Sequence, residues 1–348
     1  MRIVIAMAQA PFISGGAEYH ALNLGDALKK AGHEVEFVNI PMFDQPVESL
    51  ERQILAVRLL EVERTWAGNI DLCIGLKFPA YYVKHSNKVI WLLHQYRMAY
   101  DLYGTDFSVL HLTKEGRNTR DIVHNADNLY LREAKRIYAN SKNVATRLGK
   151  YNDIPSVPLY HPCPGMEKFY CGSYDDYILM PSRINLTKRQ KLAVEAMAHT
   201  KSDIKLFLVG KADNIAVSDE LKLFIAEHKL ENKIRFFEYV SDEKKLELYA
   251  NARAVLFIPY DEDYGYITLE GMSSSKAVIT ATDSGGPLEF VIDDKTGLVV
   301  APNPVDIAAA IDRLAESEAY AASLGSAAKK RLTDMDITWD NVVRELTK

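Results

Sequence analysis

Two glutamates eight positions apart, Glu262 and Glu270, lie in the run richest in reactive side chains, Ile258-Pro-Tyr-Asp-Glu-Asp-Tyr-Gly-Tyr-Ile-Thr-Leu-Glu-Gly-Met272. A strand is expected to end at Pro259 and a helix to begin near Gly265. If all eight positions were helical, the carboxylates would sit roughly 12 Å apart along the axis at a similar azimuth. Glu262 falls in the loop, so the helix sets only the order of that span, which reaches both the sugar and the ribose of a nucleotide sugar. Between them, the amides of Gly265, Tyr266 and Ile267 at a helix start suit a diphosphate. The triplet Asp261-Glu262-Asp263 also reads as an Asp-x-Asp metal motif, although two carboxylates around one residue arise easily by chance.

Two further loops carry candidate anion-binding groups. In Pro181-Ser-Arg-Ile-Asn-Leu-Thr-Lys-Arg189, Arg183 and Lys188 can bracket a phosphate pair, one by bidentate contact and one as a compact charge. A cluster on a solvated helix start explains the same residues. The loop Ser14-Gly15-Gly16-Ala17 lets backbone approach a ligand at a helix N-terminus. It lacks a full G-x-G-x-x-G fingerprint and fits a plain turn equally well. A dinucleotide oxidoreductase would also want an acidic residue ending the second strand, where Asn39 stands. His94, in Trp91-Leu-Leu-His-Gln-Tyr-Arg97, follows an apolar strand, a place where a histidine is more often structural than catalytic.

These loops need strands and helices to aim them. Apolar runs at 3–7, 35–39, 71–75 and 89–93 read as strands. A helix is expected over about 18–30, a polar helical stretch around 125–138, and a helix over 142–148 capped by Ser141. Four prolines between Ile154 and Gly165 mark a linker ending near Gly172, since proline continues neither a helix nor a central strand. Beyond it, strands at 177–180, 205–209, 234–237, 254–258 and 278–280 alternate with helices at 191–198, 221–227, 243–250, one ending near Ser274, and 304–316. Such alternation predicts a doubly wound parallel sheet in each half. Domains are expected at 1–165 and 172–335, with a terminal helix in 336–348.

Composition agrees with two globular domains. At 348 residues the chain exceeds one ordinary core. The first 170 residues carry net +2 and the remainder −7, which gives no reason to expect nucleic acid. Three cysteines without a CxxC pair argue for a reducing compartment. The apolar start is too short for a signal peptide and reads as a buried strand; no stretch approaches the roughly 20 apolar residues of a membrane span. A cytoplasmic protein is expected, peripheral membrane contact remaining open.

The spacing Glu262 to Glu270 inside PYDEDYGYITLEGMSSSKAVITATDSGGPLEFVIDDKTGLVVAPN resembles glycosyltransferase family 4, the group 1 glycosyl transferases of GT-B fold. The likeness extends to Gly15-Gly16-Ala-Glu18, Ala31-Gly-His-Glu-Val35, the Arg183/Lys188 pair, Leu208-Val-Gly210 and Gly297-Leu-Val-Val-Ala-Pro302. It implies two Rossmann-like domains with a donor cleft between them. It further implies retaining, metal-independent hexose transfer from a nucleotide sugar (UDP-sugar first, GDP-mannose second) to a glycan or lipid-linked acceptor. By this resemblance Glu270 binds ribose and Glu262 the transferred sugar. Arg183 and Lys188 neutralise the diphosphate, aided by Gly15, Gly16 and Gly210, and His94 lies near the donor sugar. The terminal helix returns to the first domain. Tyr96, Arg97, Tyr100 and Asp101 are acceptor candidates by position, though Arg97 and Asp101 could simply be a helical ion pair. Where the family commonly has Ala, Gly and Pro around the helix after the second glutamate, this chain has Gly271, Ser275 and Ala277, so Ser275 stands where a tight glycine turn would be expected. Rival readings are a metal-dependent transferase of the other major fold, an epimerase or phosphorylase of the same fold, and a non-catalytic binding protein.

Overall fold

The computed structural model describes all residues except 13, 14, 67 and 214. The chain divides into two compact units, Met1–Pro164 with Thr338–Lys348, and Gly165–Ile337.

The first unit runs β1 (Arg2–Gln9), α1 (Gly16–Lys30), β2 (Glu34–Pro41), α2 (Ser49–Leu59), a small hairpin β3 (Arg64–Thr65) and β4 (Gly68–Asn69), then β5 (Leu72–Gly75), β6 (Lys88–Leu92), α3 (Lys114–Tyr130), β7 (Arg136–Ala139), α4 (Lys142–Asn152) and β8 (Val157–Pro158). Its main sheet is parallel, in the order β2-β1-β5-β6-β7-β8. Side chains alternate across a strand, and β1 shows the consequence. Val4, Ala6 and Ala8 pack with Ile54 and Val57 of α2, Val123 of α3 and Leu148 of α4. Ile3, Ile5 and Met7 pack on the other face with Leu24 and Leu28 of α1. Both faces are covered, so β1 reads as a continuous apolar run, as parallel strands do.

The second unit runs β9 (Tyr177–Pro181), α5 (Gln190–Met197), β10 (Lys205–Val209), α6 (Ile215–Glu227), β11 (Ile234–Phe237), α7 (Asp242–Asn251), β12 (Ala254–Leu256), α8 (Tyr266–Ser273), β13 (Val278–Ala281), β14 (Gly297–Val300), α9 (Pro304–Glu316) and α10 (Glu318–Asp334). Its parallel sheet has the order β11-β10-β9-β12-β13-β14. Ile178 and Met180 of β9 face Ala193 and Met197 of α5 and Ile311 and Leu314 of α9; burying each large aliphatic side chain contributes about 1.5–3 kcal/mol. The final helix, α11 (Trp339–Leu346), belongs to the first unit, where Val342 and Leu346 join the α1 face of the core.

Three local expectations change. The polar helix expected at 125–138 begins earlier, at Lys114, because the Thr113 hydroxyl accepts from the Gly116 amide and caps it. Residues 136–139 instead form β7, pairing with β6 through Trp91 and Tyr138. The proline-rich linker contains β8, an edge strand on β7, which is where a sheet tolerates proline. Helices α2 and α10 had no counterpart in the sequence reading. Within α10, Gly325 reads as a helix breaker, but a Cβ there would lie 1.9 Å from the Ser275 carbonyl oxygen, so it permits close packing.

Candidate functional site

In the second unit β9 and β12 are neighbours, yet their connections leave in opposite directions, to β10 and to β13. Loops diverge from the carboxyl ends of strands at such a switch point, and ligands of open α/β sheets bind there. Lys188 follows β9 and Glu262 follows β12.

Hydrogen bonds lace these loops together. The Tyr260 amide donates to the Thr187 carbonyl (2.7 Å), the Asp261 amide to Asp283 (2.9 Å), the Glu262 amide to Ser284 (2.9 Å), and the Gly286 amide returns to the Glu262 carbonyl (2.7 Å). Arg189 adds a bidentate pair to Asp283, both bonds 2.7 Å. On this frame the Lys188 ammonium donates to the Glu262 carboxylate, with both side chains about four-fifths buried. Asn185 fixes the Lys188 turn by accepting from its amide at 3.0 Å. Arg183 is mostly exposed and reaches Asp213 at 3.3 Å.

Glu270 lies within α8 and is 5% exposed. Lys245 donates to Oε1 at 2.6 Å and the Tyr249 hydroxyl to Oε2 at 2.5 Å. Gly265, at φ +92°, caps α8 just before Tyr266 and Ile267. Gly210, at φ +148°, closes β10 against the Lys188 loop; a Cβ there would come within 2.2 Å of the Ser182 carbonyl oxygen. The second unit therefore places two carboxylates, each held by a lysine, beside a helix N-terminus at the switch point. The cations can stabilise a departing anion, while the carboxylates can accept from hydroxyls.

Residues 172–331 match the sequence family of group 1 glycosyl transferases. That match lies within the second unit. Over 153 residues it is 31% identical to alpha-1,3/1,6-mannosyltransferase ALG2 of Mus musculus, covering 42% of this chain and 37% of that protein. Matches to the ALG2 proteins of mouse, Dictyostelium discoideum and human span only about two fifths of those relatives' length. Among solved structures, sucrose-phosphate synthase of Thermosynechococcus elongatus superposes with TM-score 0.79 and 17% identity over 100% of this chain and 98% of that one. HepE of Anabaena in complex with UDP and glucose gives 0.73 at 17% identity over the same shares. The fold of this chain is thus GT-B.

The remaining candidates lie in the first unit. Gly15 and Gly16 begin α1, and the Gly15 amide donates to the unit's own Glu18 carboxylate at 2.8 Å; this end of the helix already holds an anion. Ser14 lies outside the described residues. His94 follows β6, its Nδ1 lying 2.6 Å from the Gln95 carbonyl oxygen. A ring nitrogen facing a carbonyl carries the proton, so a neutral ring keeps its lone pair on Nε2. Of the acceptor candidates, Tyr96 and Tyr100 are buried, and Tyr100 donates to Asp127 at 2.6 Å. Arg97 and Asp101 pair at 2.5 Å, and Arg147 approaches Asp101 at 3.4 Å. Asp127 itself is fully buried beneath the His94 loop. It accepts from Tyr81, Tyr82 and Tyr100 and, at 3.2 Å, from Gln95. Burial pushes its carboxyl above the ordinary range against the pull of these donors.

Sequence reasoning missed Lys245 and Tyr249. They stand four apart on a helix that was anticipated, hence on one face, but nothing in spacing alone aims that face at Glu270. Ser275 takes φ +55°, so the left-handed turn after α8 is kept without glycine.

Proposed function

We propose that the protein transfers a hexose from a nucleotide diphosphosugar to a glycan or lipid-linked hydroxyl acceptor, with retention and without a divalent metal. The second unit holds the donor and the first receives the acceptor. The observation that carries the reading is the switch-point arrangement: Lys188 on Glu262, Glu270 held by Lys245 and Tyr249, and the α8 N-terminus beside them. Lys188, Arg183 and the first amides of α8 meet the charge that develops on the leaving diphosphate, the role a metal ion would otherwise fill. Glu270 accepts from the ribose hydroxyls and Glu262 from the sugar. Same-face attack assisted by the leaving phosphate accounts for retention, so no protein nucleophile is assigned. The mannosyltransferase names of the relatives favour a mannose nucleotide first among donors, with UDP-hexoses second.

The test is thermal stabilisation by UDP, GDP, ADP and their sugars in EDTA, repeated on Glu270→Ala. At about 100 times Kd, linkage predicts roughly 2.7 kcal/mol of added stability. Stabilisation by one nucleotide and its sugar, abolished in the variant, is the expected result. Stabilisation only with a divalent ion present would overturn the metal-independent reading, and no response to any nucleotide would overturn the whole. With a responding donor, product anomeric configuration by NMR decides retention.

A further inference from the structure

We infer that Lys245 and Tyr249 are positioning residues that turn Glu270 into a receptor for a vicinal diol, and so confer the protein's preference for a ribonucleotide donor. The inference rests on the donor reading above and adds to it the residues that set the geometry of ribose recognition.

A carboxylate offers about four acceptor positions, two on each oxygen. In the structure the two donors from α7 take one position on each: the Lys245 ammonium on Oε1 at 2.6 Å, the Tyr249 hydroxyl on Oε2 at 2.5 Å. One position per oxygen is left, a pair spaced as the two oxygens are, which is what adjacent hydroxyls of a ribose require. A carboxylate held from one side only would rotate about its terminal torsion, which has broad minima, and would lose that match.

The holders differ in character. Tyr249 is fully buried, with Phe169 packed edge-on at 5.3 Å and 90°. Its hydroxyl is therefore fixed in place, and the ring cannot follow Glu270 if the latter moves. The Lys245 side chain is 36% exposed, its ammonium passing 5.7 Å from the Phe169 ring and 5.9 Å from the Tyr249 ring. It supplies charge: Glu270 is nearly buried, and a cation beside it offsets the lost hydration of its carboxylate. Because residues 245 and 249 are one helical turn apart, α7 delivers both donors to one carboxylate without distortion. Ser241 begins the helix by accepting from the Lys244 amide, which sets the azimuth of both.

The experiment compares dissociation constants of UDP and GDP with those of their 2′,3′-dideoxy counterparts, by calorimetry, for wild type, Glu270→Ala, Tyr249→Phe, Lys245→Met and Lys245→Arg. Hydrogen bonds to a charged group are worth enough for the wild type to prefer the ribose form by roughly tenfold or more. Glu270→Ala should abolish the preference. Tyr249→Phe and Lys245→Met should each cut it by about fivefold or more, while binding of the dideoxy form changes less than about twofold. Lys245→Arg should restore most of it. A general loss of structure would weaken both ligands equally and leave the ratio unchanged, so the ratio separates positioning from folding. If Tyr249→Phe does not fold, the half-exposed Lys245 variants decide alone. An unchanged ratio in the α7 variants, with the ratio lost in Glu270→Ala, overturns this inference and leaves the donor reading intact. An unchanged ratio in Glu270→Ala, or no nucleotide binding by the wild type, overturns both.

Discussion

Replacing Gly210 by alanine tests whether the loops after β9 and β10 act as one rigid part. At φ +148° an L side chain is strained, which costs about 1–3 kcal/mol. The new Cβ would also lie 2.2 Å from the Ser182 carbonyl oxygen, 2.7 Å from its carbon and 3.2 Å from the Arg183 nitrogen. These are backbone atoms, so no side chain can swing aside, and relief requires moving the loop that carries Arg183 and Lys188. Overpacking of this kind costs a further 1–3 kcal/mol or so. A total near 4 kcal/mol in a unit of this size lowers its midpoint by about 8–16 °C. Gly165→Ala is the control: φ is +64°, but the nearest atom to its Cβ is a Lys168 side-chain carbon at 3.5 Å, leaving only about 1–2 kcal/mol of left-handed strain. Differential scanning calorimetry with and without nucleotide measures both. Gly210→Ala should fall well below the control and lose most of its nucleotide stabilisation. Equal midpoints with intact nucleotide response would refute the argument that β10 is pressed against the Lys188 loop.

Three other outcomes follow from the structure. Lys188→Met removes the ammonium from Glu262 and, on the proposed function, from the leaving diphosphate, and should lower kcat by about a hundredfold with a smaller change in donor KM; a transfer assay with varied donor shows it, and a pure KM effect would assign Lys188 to ground-state binding. Asp127→Ala leaves three tyrosine hydroxyls and Gln95 without their acceptor, and should destabilise the first unit by about 3–5 kcal/mol in urea unfolding. The buried pair His20 and His161, 3.0 Å apart, makes stability pH-dependent. Burial lowers both, His161 to about 3. The folded state therefore holds them neutral, while the unfolded chain takes up protons below about 6.5. Stability is full above that pH and falls by up to about 1.4 kcal/mol per unit per ring on acidification towards 3. Thermal midpoints between pH 7 and pH 5 should drop, and His161→Gln should flatten the slope.

No helix among the described residues is long and apolar enough to cross a membrane.

Much of this architecture is written locally in the chain. Parallel strands buried on both faces need unbroken apolar runs, and β1, β5 and β6 were legible for that reason. The Ser141 cap and Pro304 at the first turn of α9 likewise declare their helices through backbone groups a few residues away. The loops with candidate chemistry were legible too, because phosphate and sugar recognition calls for glycine, cations and carboxylates at strand ends. Local signals failed where the deciding partner was distant. Residues 136–139 are a strand only because β6 lies alongside them, and nothing near Tyr100 in sequence says that its hydroxyl donates to Asp127 on α3. Lys188 meets Glu262 across 74 positions and Lys245 meets Glu270 across 25. Sequence spacing specifies which side chains share a helix face or a loop, since those distances are fixed by bonds. Which carboxylate each cation holds is set by the strand order that brings β9 beside β12, and that order exists only in the folded sheet.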